Sequence, residues 1–232
     1  MQFDNRHIVI TGGTGALGSA VVDALLKAGA TCTVPYVSEA EAQYFHHRSD
    51  NKTKLIAITD LADEGDVAKV YNGIKPWASI HIAGGFASGA ARETSRATLM
   101  AQLESNLVSC FLCCRAAVNS ILAGNTGGRI VNVAARPALE WRSGAGMIAY
   151  TVAKAGVAAL TVALAEEVAK DGILVNAVAP STMNTPANRA AMPKLDHDLW
   201  PNVDEVAATI LFLASPENRV TRGAIVPVYG KT

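Results

Sequence analysis

His7-Ile8-Val9-Ile10 runs directly into Thr11-Gly12-Gly13-Thr14-Gly15-Ala16-Leu17-Gly18 near the start of this 232-residue chain. A short β-branched run of this kind predicts a buried strand. Val21, Leu25 and Leu26 then recur at helical spacing until Gly29 closes the pattern. Strand, glycine-rich turn and helix in that order form the context in which glycines cradle a phosphate. Glycine lets the backbone approach a pyrophosphate, and the helix start offers free N–H groups and a positive dipole. A plain tight turn has the same local pattern, so the stretches further along must separate the two readings.

The alternation continues outward from that stretch. A second strand is predicted at Thr31 to Val34, a polar helix from Ser38 to about Arg48, and a third strand at Leu55 to Ile58 ending in Thr59-Asp60-Leu61. A helix from Asp63 to Gly73 precedes a fourth strand, Ser79 to Ala83, which enters Gly84-Gly85. Helical periodicity covers about Ser95 to Ala123, Arg129 to Val133 reads as strand, and an alanine-rich helix spans about Met147 to Lys170. Ile173 to Val178 is a strand stopped by Pro180, Val203 to Ala214 a helix, and Ala224 to Val228 a last strand. This spacing predicts one α/β domain over residues 1–232, a doubly wound, Rossmann-like parallel sheet covered on both faces. Ligands of such sheets bind beyond the carboxyl ends of the strands, where the glycine loop, Asp60, Gly84, Ala134 and Pro180 all fall.

The helix beyond the fifth strand carries Tyr150-Thr151-Val152-Ala153-Lys154. Four residues is about one helical turn, so the phenol and the ammonium share a face. A free phenol has a pKa of about 10, and a fixed positive charge nearby favours the phenolate. Tyr150 is therefore a candidate acid or base for a proton moved alongside a hydride. An isolated Tyr-x-x-x-Lys is usually a solvated helix face. Its position at the same sheet edge as the glycine loop is what gives it weight.

With these residues in place, the chain resembles the short-chain dehydrogenase/reductase family over essentially its full length. Thr11, Gly12 and Gly18 match the family's Thr-Gly-x-x-x-Gly-x-Gly, with Ala16 at the middle glycine. The resemblance implies an NAD(P) cofactor held by Gly12, Thr14, Ala16, Leu17 and Gly18, with Asp60 and Leu61 at the adenine. It adds Ala83 and Gly84, where Ile82 stands in place of an Asn, then Pro180, and Thr185 at the nicotinamide amide. Tyr150 and Lys154 match the proton donor and its activating lysine, and Asn106 the helix-bending residue that supports a water path to that lysine.

One departure stands out. Aligning Arg129 to Val133 on the fifth strand puts Ala135 where the family has its catalytic serine, and Ser143, the nearest serine towards Tyr150, belongs to a loop. The departures together resemble the dihydropteridine reductases, which also lack that serine. Gly12 to Ser19, Ala83 to Gly85, Gly146 to Tyr150, Asn184 to Arg189, Met192-Pro193 and Trp200 carry this narrower likeness. It implies reduction of a quinonoid dihydropterin, beneath a substrate lid at about 186–202. A carbonyl reductase or alcohol dehydrogenase of the same family is the first alternative. A dinucleotide-binding sensor or assembly subunit that has lost catalysis is the second. Pro35 replaces the Asp that would bind the ribose 2′-hydroxyl, and Gly15 and Pro35 to Ser38 offer no base for a 2′-phosphate. The expectation is weak discrimination with a slight lean to NADPH.

Composition bounds the remaining possibilities. Twenty Lys and Arg balance twenty Asp and Glu, and aromatics make up 6%, which argues against nucleic acid as a partner. Cys110, Cys113 and Cys114 lie in an apolar helical pattern, and the sequence places no His beside them, so no metal is expected. Met1 to Thr11 reads as a strand rather than a leader, and Arg115, Lys154, Glu166 and Glu167 interrupt the apolar helices. A soluble cytoplasmic enzyme acting on a small molecule, with no membrane span, is expected. The helices at 95–123 and 147–170 are apolar around much of their circumference, which predicts a homodimer or homotetramer.

Overall fold

The β-branched runs do form strands, and every neighbouring pair is parallel. The computed structural model describes residues 1–232. β1 (His7–Thr11) leads to α1 (Ala16–Lys27), β2 (Thr31–Tyr36), α2 (Glu39–Tyr44) and β3 (Thr53–Ala57). Then come α3 (Glu64–Tyr71), β4 (Ala78–His81), α4 (Arg96–Leu103), α5 (Ser109–Gly124) and β5 (Gly128–Val133). α6 (Arg136–Leu139), α7 (Ile148–Glu167), β6 (Ile173–Pro180), α8 (Pro186–Ala191), α9 (Val203–Ala214) and β7 (Ile225–Val228) complete the chain. The strand order is β3-β2-β1-β4-β5-β6-β7, so the winding reverses between β1 and β4. This is the expected doubly wound α/β domain.

Successive side chains of a strand point to opposite faces, and the two faces build two cores. Ile8 and Ile10 of β1 join α1 and α9 through Val21, Leu25 and Ile210. Val9, between them, joins α3, α5 and α7 through Val70, Cys113 and Val157. Pro35 sits in β2 without breaking the sheet because β1 pairs only as far as Thr33.

Several boundaries differ from the expectation, each for a local reason. The polar helix ends at Tyr44 rather than near Arg48, because Phe45 turns out of it and buries in the core. β4 stops at His81 rather than Ala83, because β1 ends at Thr11, whose O accepts the last ladder bond from Ile82 N at 3.1 Å. The helix predicted from Ser95 is interrupted at Glu104–Val108 by a π-helical turn. Asn106 causes it: its Nδ2 donates to Gln102 O at 3.0 Å, taking the carbonyl that the backbone ladder would use.

Arg96–Gly124 and Ile148–Glu167 are both long and apolar enough to cross a membrane by length and composition alone. In this fold their inner faces, including Ala117, Ile121 and Ala165, pack into the second core. Their outer faces leave Phe111, Leu122, Val152 and Val162 exposed.

Candidate active site

The reversal between β1 and β4 opens a cleft of about 220 Å³ at the carboxyl edge of the sheet. Leu17, Gly84, Asn106, Tyr150, Lys154 and Pro180, all expected from the sequence, line it together with Ala135. Gly12 and Thr14 in the adjoining loop and Ala16 and Gly18 in the first turn of α1 continue this wall. Gly12 has φ +70°, and a Cβ there would lie 2.6 Å from Ala83 N; a Cβ on Gly18 would lie 2.0 Å from Gly12 O. The loop therefore closes directly onto the exit of β4 through Ala83, and only glycine fits either place. α1 starts without a side-chain cap or an acid in its first turn, whereas α2, α3, α4 and α8 all have side-chain caps. Its first N–H groups are left for an anion.

The second wall comes from the π turn and α7. Asn106, 1% exposed, donates from Nδ2 to Gly85 O at 2.9 Å, while its Oδ1 is buried without a partner. A Cβ on Gly84 would stand 2.4 Å from that Oδ1 and 3.4 Å from Lys154 Nζ, so Gly84 is the space these two groups share. Lys154 Nζ donates to Val133 O at 2.8 Å and lies 5.9 Å from the centre of the Tyr150 ring. Burial alone pushes the Tyr150 phenol up to about 12. The sequence spacing points to Lys154 favouring the phenolate; in the free protein burial acts in the opposite direction and keeps the proton on the phenol.

Burial also brings Lys154 down to about 8 from its ordinary 10.5. In the unfolded chain the lysine holds its proton up to the higher value, so the folded state is penalised below pH 8 and the penalty fades as pH rises to 10.5. That difference corresponds to roughly 3 kcal/mol. Lys154→Met is expected to be more stable relative to wild type at pH 7 than at pH 10.5, by up to that amount. Urea unfolding at the two pH values measures it, and a gap that does not change with pH refutes it.

Other expected residues are placed differently. Asp60 does not cap the following helix, as Asp63 does so; its Oδ1 accepts from Ala62 N at 2.8 Å in a local turn. Asp66, which the sequence reading missed, holds that segment by accepting from Thr59 N at 2.7 Å and Asp60 N at 2.9 Å. Leu61 is buried in the second core. Thr185 caps α8, accepting from Asn188 N at 3.2 Å, and is not among the residues lining the cleft. Ser143 is exposed, donates to Glu140 O at 2.7 Å and lies outside the cleft, so it does not replace the hydroxyl missing at Ala135.

Three more lining residues are not among the expected site residues. Ser181 and Met183 follow Pro180, and the Ser181 hydroxyl is engaged by Tyr229 O at 2.9 Å. Phe86 is 63% exposed at the mouth and meets the Tyr150 ring edge-on, with centroids 5.1 Å apart. The reading of the cysteines also needs correction. His81, from β4, lies with Cys110 and Cys114 in one buried group, their ligand atoms within 4.8 Å of one another. His81 Nδ1 meets Asn132 Oδ1 at 2.8 Å and its Nε2 meets Ser79 Oγ at 2.9 Å, so both ring nitrogens are engaged within the protein.

A profile of the short chain dehydrogenases matches residues 6–196, most of the chain and every residue that lines this cleft. The chain belongs to the short-chain dehydrogenase family. Galactitol 2-dehydrogenase of Rhizobium johnstonii is 34% identical, over 98% of this chain and 95% of that protein. The 2,3-dihydroxy-2,3-dihydro-p-cumate dehydrogenase of Pseudomonas putida is 31% identical, over 99% and 95%. Among solved structures, an oxidoreductase of the family from Burkholderia thailandensis superposes with a TM-score of 0.87 at 29% identity, covering 97% of this chain and 91% of that one. This short-chain dehydrogenase is an NAD(P)-dependent oxidoreductase with the family's Rossmann-like sheet.

Proposed function

We propose that this enzyme reduces planar, conjugated acceptors, such as quinonoid imines of the dihydropterin type, in preference to simple ketones. Ala135 is the observation that carries this reading. It lines the cleft with Tyr150, so the hydroxyl donors facing a bound acceptor are reduced to one free group, Tyr150. Reduction of a ketone concentrates negative charge on one oxygen, which needs more than one donor; a conjugated acceptor spreads that charge over its ring. The exposed face of Phe86 beside Tyr150 offers a flat surface for such a ring.

Bound NAD(P)H supplies the hydride. The glycine loop, the uncapped start of α1 and the unpartnered Asn106 Oδ1 fit the polar parts of such a group. Gly12, Thr14, Ala16, Leu17, Gly18, Ala83 and Gly84 would hold it, with Pro180 and Thr185 at its far end and Asp60-Leu61 beside its adenine. Tyr150, protonated at neutral pH, gives up the proton from its phenol oxygen. Lys154, as an ammonium, stabilises the phenolate left behind, and Asn106, whose buried Oδ1 faces it across Gly84, supports a water path to the lysine. Residues 186–202, with α8 and Trp200, serve as the lid. Loss of catalysis is the weaker reading, because Tyr150 and Lys154 still share one cleft.

The relatives named above are dehydrogenases of alcohols, and this favours a second reading, alcohol oxidation on an unidentified polyol or diol. A panel of quinonoid imines, quinones, simple ketones and polyols, run with NADH and NADPH, separates them. Brisk turnover of plain ketones or polyols with none of the conjugated acceptors would refute the first reading.

We further read the protein as a soluble cytoplasmic oligomer, with Phe111, Leu122, Val152 and Val162 on the outer faces of α5 and α7 covered by a second copy. A dimer or tetramer by light scattering at micromolar concentration is expected; a monomer would contradict it.

A further inference from the structure

β2 adjoins β1, and Val34 packs against Gly13: a Cβ on that glycine would lie 2.7 Å from Val34 Cγ1. The start of α2 is thereby brought over the glycine loop. There Thr14 Oγ1 donates to Glu41 Oε2 at 3.1 Å. Glu41 is fixed from the other side as well, because its backbone N donates to the Ser38 hydroxyl at 3.4 Å in the first turn of the helix.

The charge balance at this rim leaves one carboxylate over. Glu39 is neutralised by Arg48, whose Nη2 lies 3.1 Å from Glu39 Oε1. Lys27 is taken by Asp23 at 2.6 Å. Glu41 has no cationic partner; its only side-chain bond is the hydroxyl of Thr14. In dinucleotide folds an acid at this corner bonds the adenosine ribose 2′-hydroxyl, and a base accepts the 2′-phosphate that distinguishes NADP(H). A phosphate monoester carries a charge of about −1.5 to −2 at pH 7 and meets repulsion from an unpaired carboxylate.

We infer that Glu41, held against the glycine loop by Thr14, selects NAD(H) by bonding the ribose hydroxyls and repelling a 2′-phosphate. The inference rests on the reading of this cleft as a nicotinamide-nucleotide site and specifies which nucleotide it takes. It also replaces the lean to NADPH that follows from Pro35 to Ser38 alone, since the acid lies three residues beyond that window and is folded back by the helix turn.

The test is nucleotide binding itself, by titration calorimetry on the purified full chain, with 5′-AMP against adenosine 2′,5′-bisphosphate as minimal probes beside NAD+ and NADP+. Wild type is expected to bind NAD+ about tenfold or more tightly than NADP+. Glu41→Gln should close most of that gap by raising NADP+ affinity, and Glu41→Arg should invert it. Thr14→Val should narrow the gap in the same direction by freeing the carboxylate. Equal wild-type affinities, or a NAD+/NADP+ ratio unmoved in Glu41→Gln, overturn the inference while leaving the nucleotide site intact. Binding of none of the four probes by natively folded protein overturns the nucleotide site itself, and the inference with it.

Discussion

Tyr150→Phe loses turnover by about two to four orders of magnitude, the usual contribution of a positioned general acid, and keeps its nucleotide affinity. The expectation follows from what the substitution leaves in place. Phenylalanine retains the ring, so the edge-on contact with Phe86 at 5.1 Å survives and the cleft keeps its shape. The hydroxyl it removes is the one free hydroxyl among the lining groups, since that of Ser181 is engaged by Tyr229 O. Single-turnover reduction measured beside calorimetric binding separates the two effects. A variant that turns over like wild type would refute the assignment of Tyr150. One that fails to bind nucleotide would show that the hydroxyl holds the nucleotide as well as the proton.

Ala135→Ser is expected to raise ketone reduction about a hundredfold and to change reduction of quinonoid acceptors far less. Ala135 is extended (φ −160°, ψ 162°), only 5% exposed and in the lining of the cleft, so a serine there needs no change of backbone and adds one hydroxyl to the wall shared with Tyr150. Restoring a donor to an oxygen that bears charge in the transition state is worth about 10² or more in rate. An acceptor whose charge is delocalised gains less from the same donor. The informative quantity is the ratio of kcat/KM for the two acceptor classes in the variant over that in wild type. Equal gains on both would remove the physical basis for the conjugated-acceptor reading.

The strands and most helices were legible because their periodicities are strong, and because Gly12, Gly29, Pro180 and similar punctuation fall at true ends. The convergence of Leu17, Gly84, Asn106, Tyr150 and Lys154 was legible too, since strand ends of a parallel sheet share one edge. Three things were not. The acidity of Tyr150 depends on desolvation, and sequence spacing reports charge neighbours but not how much water a fold excludes. His81 comes from β4 and Cys110 and Cys114 from α5, so their meeting depends on how the helix lies on the sheet. Glu41 lies beyond Pro35 to Ser38, where strand geometry puts a ribose-binding acid, and only the turn of α2 folds it back to Thr14. Phe86 was within reach: a large aromatic immediately after Gly84-Gly85 at a ligand edge is a signal.

The division of each central strand between two cores has a consequence for how the enzyme fails when heated. Leu17 reaches the cleft from the layer of α1 and α9, while Asn106, Tyr150 and Lys154 reach it from the layer of α5 and α7. Neither layer can peel away without stripping alternate residues of β1, β4 and β5 of their packing, which strains the other. Catalysis and cohesion are therefore lost together: residual activity after heating counts surviving whole molecules, not molecules with a loosened site.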